Sequence, residues 1–170
     1  MRNTLKIINE LKKKKLIKDY AIGGGIAALF YIEPFLTYYL DIFVILPSKE
    51  INKKKLILLS PIFEYLASKG YSWRGEHVII EGIPVQFIPA DPLEEEAIKN
   101  AKEIKYEGIR TKIITPEYLI AIFLRAGRKK DLEKIERFFE EVEIDKVKLK
   151  KILIKFNLKE KFDLWKRKKF

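Results

Sequence analysis

The sequence predicts an α+β fold: a mixed sheet flanked by helices, with a helical C-terminal part. Three observations carry this. Apolar, β-branched runs of strand length recur up to about Ile114, punctuated by glycine and proline. Segments with helical spacing of apolar residues lie between them, beginning with Leu5, Ile8, Leu11 and Leu16. Beyond Thr115 the pattern is helical alone. The expected organisation is a core over 1–114 and a helical region over 115–170 packed on it.

Residues 3–16 read as an amphipathic helix ending in Lys12-Lys13-Lys14-Lys15, where lysines favour the helix dipole. A short strand follows at 20–22, then the run Gly23-Gly24-Gly25 and a wholly apolar helix over 25–31. Glu33-Pro34 ends that helix, because proline disfavours a helical residue before it. The strongest strand spans 37–46 and suits the centre of a sheet. A loop begins at Pro47 and includes Lys53-Lys54-Lys55. Over 56–69 a strand or helix leads into a helix with Ser60-Pro61 at its start, and Gly70 closes it. Three short strands, 71–74, 78–80 and 85–88, form a meander with turns at Gly75-Glu76 and Glu81-Gly82. Asp91 caps a helix over 93–104, and 109–114 is a further strand. Thr115-Pro116 starts a largely apolar helix over 117–126 that Gly127 breaks. Helices over 131–143, 147–154 and 158–165 precede the basic tail.

The 170 residues are 48% hydrophobic, enough for one well-packed domain. No run of about 18 apolar residues exists, so no membrane helix is expected. The charged N-terminus does not read as a signal peptide. The absence of cysteine excludes disulfides and thiolate metal sites and fits a cytoplasmic protein. The net charge of +11 favours polyanionic partners. Abundant isoleucine, lysine and glutamate also fit a thermophile's usage, in which lysine-rich surfaces need no ligand.

The chemistry concentrates in 20–47. A glycine turn between a strand and a helix lets backbone N–H groups approach an anion. Asp41 is the one carboxylate in the apolar strand that follows, a costly placement unless it is paired or bound to a cation. The bland alternative is a tight turn with an exposed strand-end aspartate. Gly127-Arg128-Lys129-Lys130-Asp131 is a second cationic cluster, read either as phosphate contacts or as a capped inter-helix turn. His77, the single histidine, reads as an exposed hairpin residue without a metal role, and Trp73 and Trp165 as packing residues.

Five segments carry a resemblance. They are Ala21-Ile22-Gly23-Gly24-Gly25-Ile26-Ala27-Ala28, Thr37-Tyr38-Tyr39-Leu40-Asp41-Ile42-Phe43-Val44, Gly82-Ile83-Pro84-Val85-Gln86-Phe87, Glu117-Tyr118-Leu119-Ile120-Ala121 and the cationic cluster. Together they resemble the nucleotidyltransferase-fold proteins of the AbiEii/AbiGii toxin-like family, over most of the chain. The resemblance implies that Gly23, Gly24 and Gly25 hold nucleotide phosphates, with Arg128 and Lys130 on phosphate or RNA. It implies Mg²⁺ held by paired strand carboxylates, and transfer of a nucleoside monophosphate from an NTP to tRNA, another RNA or a protein. A cognate antitoxin is an implied partner, and no membrane is.

Carboxylates two apart on a strand face one side and can share a metal cluster. The family's pattern places its carboxylates at Tyr39, Asp41 and Gln86, and only Asp41 is acidic here. Asp91 is the nearest candidate to replace the third, or it is a helix cap. Two functions follow: transfer by a depleted metal site with Asp41 as catalytic residue and ligand, or a catalytically inactive nucleotide-, RNA- or partner-binding module.

Overall fold

A computed structural model describes residues 1–47 and 55–169. Of the loop expected from Pro47 with Lys53-Lys54-Lys55, residues 48–54 lie outside the described residues, and Lys55 begins a helix. The helices are α1 (Arg2–Lys13), α2 (Gly24–Ala28), α3 (Lys55–Ser68), α4 (Pro92–Lys99), α5 (Pro116–Ala126), α6 (Lys129–Glu141), α7 (Lys146–Lys155) and α8 (Lys159–Lys169). The strands are β1 (Asp19–Ile22), β2 (Leu40–Ile45), β3 (Ser72–Arg74), β4 (His77–Ile80), β5 (Ile83–Pro89), β6 (Lys102–Tyr106) and β7 (Ile109–Ile113). Among the described residues they form one mixed sheet in the order β3-β4-β5-β2-β1-β7-β6. Strand β2 is central, antiparallel to β1 and parallel to β5. The expected mixed sheet flanked by helices is therefore the observed architecture. No helix among the described residues is long and apolar enough to cross a membrane.

The period of two on β2 divides the molecule. Leu40, Ile42 and Val44 point to one side and are fully buried; Asp41 and Phe43 point to the other. Helices α1 and α3 cover the first side. Tyr20, in register with Val44, donates to Asn9 Oδ1 of α1 at 2.7 Å, and Tyr65 of α3 donates to Glu10 Oε2 at 2.8 Å. The short α2 lies over Asp41 and Phe43, and α5 packs against α2 with α4 beside it. Residues 117–124 of α5 are all buried, so this helix is a second core around which α6 and α7 gather. Phe138 of α6 is fully buried between Tyr31 and Phe123, with ring centroids 6.2 and 6.4 Å away.

Three expectations need correction. The helix expected over 93–104 stops at Lys99, and Lys102–Tyr106 is the edge strand β6. Its turn to β7 is the pair Glu107-Gly108, both at positive φ (47° and 80°), the conformation a two-residue hairpin needs. Ser60-Pro61 does not begin a helix. Pro61 lies inside α3, where burial of Leu59, Ile62 and Leu66 offsets the lost backbone hydrogen bond. The strand expected from Thr37 begins at Leu40, because pairing with β5 begins there.

Phe138→Ala removes the side chain that ties α6 to α5 and to Tyr31. Urea denaturation is expected to show a loss of about 3–5 kcal/mol.

Candidate functional site

The glycine turn and β2 are built against each other. Gly23 N–H donates to Asp41 O at 2.9 Å, which locks the turn to the strand. The three glycines then face three side chains. A Cβ on Gly23 would lie 2.1 Å from the Phe43 ring, one on Gly24 1.8 Å from Asp41 Oδ2, and one on Gly25 2.6 Å from Thr37 Oγ1. Gly24 also has φ +55°, which side-chain-bearing residues rarely adopt. Glycine is thus required by close approach along the turn and by backbone conformation at Gly24. With Gly23 N–H committed to β2, the amides of Gly24, Gly25 and Ile26 form the free first turn of α2.

Asp41 is half-buried, and among the described residues no donor is hydrogen-bonded to its carboxylate. Burial pushes its carboxyl above the usual range, against the opposing pull of Arg128, His77 and Lys130; Asp131 adds to the rise. Arg128 is held by Asp131, with Nε donating to Oδ2 at 2.5 Å and Nη2 to Oδ1 at 3.3 Å. Asp131 is itself buried, 1% exposed, with Lys134 Nζ 3.6 Å from Oδ1. Asp131 orients the Arg128 guanidinium, and the N-cap position of α6 belongs to Arg128. Asp41 therefore feels the charges of Arg128 and Lys130, which lie 87 and 89 residues further along the chain.

The degenerate positions are equally well placed. Tyr39 is 45% exposed, and its ring stacks on His77 with centroids 4.0 Å apart and planes 21° apart. Gln86 is the register partner of Asp41 on β5, and its amide donates to Glu76 Oε2 at 3.3 Å. His77, read from sequence as a bystander, is half-buried at this site. Its signal was not local: the pairing of β4 with β5, and of β5 with β2, brings it there. Glu76 was missed for the same reason.

Asp91 does not approach Asp41. It lies five residues beyond Gln86, about 16 Å of extended chain. Its Oδ1 accepts from Leu93 N–H at 3.1 Å, and both oxygens accept from Arg125 Nη1, at 3.0 and 2.8 Å. It caps α4 and cannot replace a third carboxylate.

The donor set therefore does not fit the metal centre that the resemblance implies. Asp41 is the only carboxylate among the three family positions; a phenol and an amide occupy the others. Among the described residues no three ligating side chains converge anywhere. The charges bearing on Asp41 are instead mixed, with Arg128, His77 and Lys130 favouring its ionised form and Asp131 opposing it.

No protein-family model matches the chain, and no curated protein matches it. Among solved structures the chain is similar to an antigenic nucleotidyltransferase-like protein from Paracoccidioides brasiliensis. Identity is 16% over 95% of this chain and 88% of that one, with a TM-score of 0.52. It is also similar to the antibiotic-resistance factor ANT(2'')-Ia, at 17% identity over 94% of this chain and 92% of that one, with a TM-score of 0.49. The first likeness shows a nucleotidyltransferase-like fold.

Two predictions follow from the turn and its aspartate. Gly24→Ala is expected to destabilise the protein by more than about 1 kcal/mol. Asp41→Ala in the same chain should recover the steric part but not the backbone part, which a double-mutant cycle of urea melts resolves. Between the ordinary aspartate value, about 3.9, and its raised value in the fold, Asp41 binds more protons folded than unfolded. Native stability accordingly falls as pH rises through that window, and the full cost stands above it. Asp41→Asn should stabilise the protein at neutral pH and give no gain below the ordinary carboxylate range, as read from thermal melts over about pH 3 to 8.

Proposed function

We propose that the chain binds a nucleoside triphosphate at the Gly23–Asp41 site through its phosphates, and does so as a binding module rather than as a two-metal transferase. One observation carries this reading: Asp41 is the one acid among the three family positions, and the charges of Arg128 and Lys130 bear on it. Free amides of Gly24 and Gly25 offer donors to phosphate oxygens, and Arg128, fixed by Asp131, offers a planar fork for an anion. Lys130, exposed, adds a second positive charge. In this reading the cations supply the charge neutralisation that Mg²⁺ supplies in the related fold, and Gly23 shapes the turn rather than donating from it.

The second reading is transfer of a nucleoside monophosphate to an RNA, such as tRNA, or to a protein acceptor, as in the AbiEii/AbiGii toxin-like proteins with their antitoxins. One feature favours it: among the described residues no hydrogen bond ties down the Asp41 carboxylate, which leaves it available to a ligand. Asp41 would then be the residue on which activity depends.

Calorimetry with each NTP, with and without Mg²⁺ or Mn²⁺, separates the readings. Binding is expected without added metal. Arg128→Ala and Lys130→Ala should each weaken it by about tenfold or more, the scale of one charge-assisted hydrogen bond. Absence of NTP binding under every condition sinks both readings. Labelled NTP incubated with bulk tRNA is expected to show no transfer by the natural chain. Transfer that Asp41→Ala abolishes would overturn the module reading in favour of the enzyme. Gain of metal-dependent transfer in Tyr39→Asp would identify a disabled active site.

A further inference from the structure

The helices after Gly127 hold a groove of about 470 Å³ separate from the Asp41 site. Its floor is formed by Leu149 and Leu153 of α7 and by Phe139, Phe162 and Trp165. The three aromatic rings lie 5.6 to 6.0 Å apart, a rigid apolar surface. The rim carries Lys146, Lys150, Lys159 and Lys166. Lys159 is paired with Asp163. Among the described residues no carboxylate lies within ion-pair distance of Lys146, Lys150 or Lys166.

The apolar surface continues past the groove. Val147 and Ile154, 66% and 55% exposed, lie two turns apart on α7, with Lys150 between them on the same face. We infer that this face of α7 and α8 docks an acidic amphipathic segment of a protein partner. Its apolar side chains would seat on the aromatic floor and along Val147 and Ile154, and its carboxylates would meet the three unpaired lysines. The strip extends beyond the cavity, which suits a segment of chain better than a compact small molecule. Nucleic acid fits less well. Bases stack on exposed ring faces, whereas Trp165 is only 7% exposed and the outer strip is aliphatic. The inference is independent of nucleotide binding.

The test is fluorescence anisotropy of the full chain with a fluorescein-labelled helical peptide bearing glutamates on one face and leucine and phenylalanine on the other. Saturable binding is expected, weakened about tenfold or more by Lys146→Glu, Lys150→Glu and Lys166→Glu together, by Ile154→Ser, and by added salt. Both variants change exposed residues, and circular dichroism establishes that they fold. The inference is overturned if the peptide does not bind, or if a glutamine version binds equally well. Tighter binding of single-stranded RNA, lost in the triple lysine variant, would assign the face to nucleic acid instead. Self-association that Ile154→Ser abolishes, seen by sedimentation, would assign it to a second copy of the chain.

Discussion

The fit of the glycine turn against the outer face of β2 is the constraint on which the rest depends. Phe43 and Asp41 of β2, with Thr37 just before it, face the turn and leave no room for a side chain at the three residues opposite. The Gly23–Asp41 hydrogen bond fixes the register of that contact. Because β2 is also the central strand, the same register positions β1 on one side and β5 on the other. Turn, strand order and site are thus one arrangement. Conversely, the other face of β2 is ordinary core: Leu40, Ile42 and Val44 meet helices and nothing else is asked of them.

Electrostatics gives the site its second property. Asp41 is half-buried with no hydrogen-bond donor among the described residues, and burial raises its carboxyl accordingly. Stability alone does not explain retaining it, since its charge costs more than its neighbours return. Asp131 shows the opposite design. It is more deeply buried, yet it is doubly bonded to Arg128 and close to Lys134. One acid is satisfied and holds a cation in place; the other is left open. That contrast separates a structural carboxylate from one available to a ligand.

The sequence made the parts of the site legible but not their mutual contacts. Gly23, Gly24, Gly25 and Asp41 announced themselves through composition: three glycines in a row, and a single acid in an apolar strand. That Gly23 and Gly24 answer Phe43 and Asp41 on β2, and Gly25 answers Thr37 just before it, depends on tertiary contacts that no local pattern encodes. His77 and Glu76 reach the site only through two successive strand registers, so a lone histidine in a hairpin gave no sign of it. The two Glu-Gly turns make the same point. Glu81-Gly82 and Glu107-Gly108 have nearly the same conformations, φ 52° and 79° against 47° and 80°. The first was readable because clear strands flank it. The second was hidden because Lys102–Tyr106 follows a helix with no glycine or proline between, and its alternation is masked by charge. Asp91 misled for the opposite reason: its spacing from Gln86 was short in sequence, but an extended strand converts five residues into a span no side chain bridges.

The division of labour between the two ends of the chain follows from these contacts. The N-terminal part supplies the turn, the open carboxylate and the stacked Tyr39–His77 pair. It supplies neither Arg128 nor Lys130. Arg128 and Lys130 come from the junction of α5 and α6, where Gly127 at φ +68° turns the chain back. That junction is held by the burial of α5 and by Phe138. The positive half of the site is therefore positioned by packing in the helical part, and the negative half by the sheet. A nucleotide bound between them would bridge the two, and its affinity would report on the packing of α6 as much as on the glycine turn.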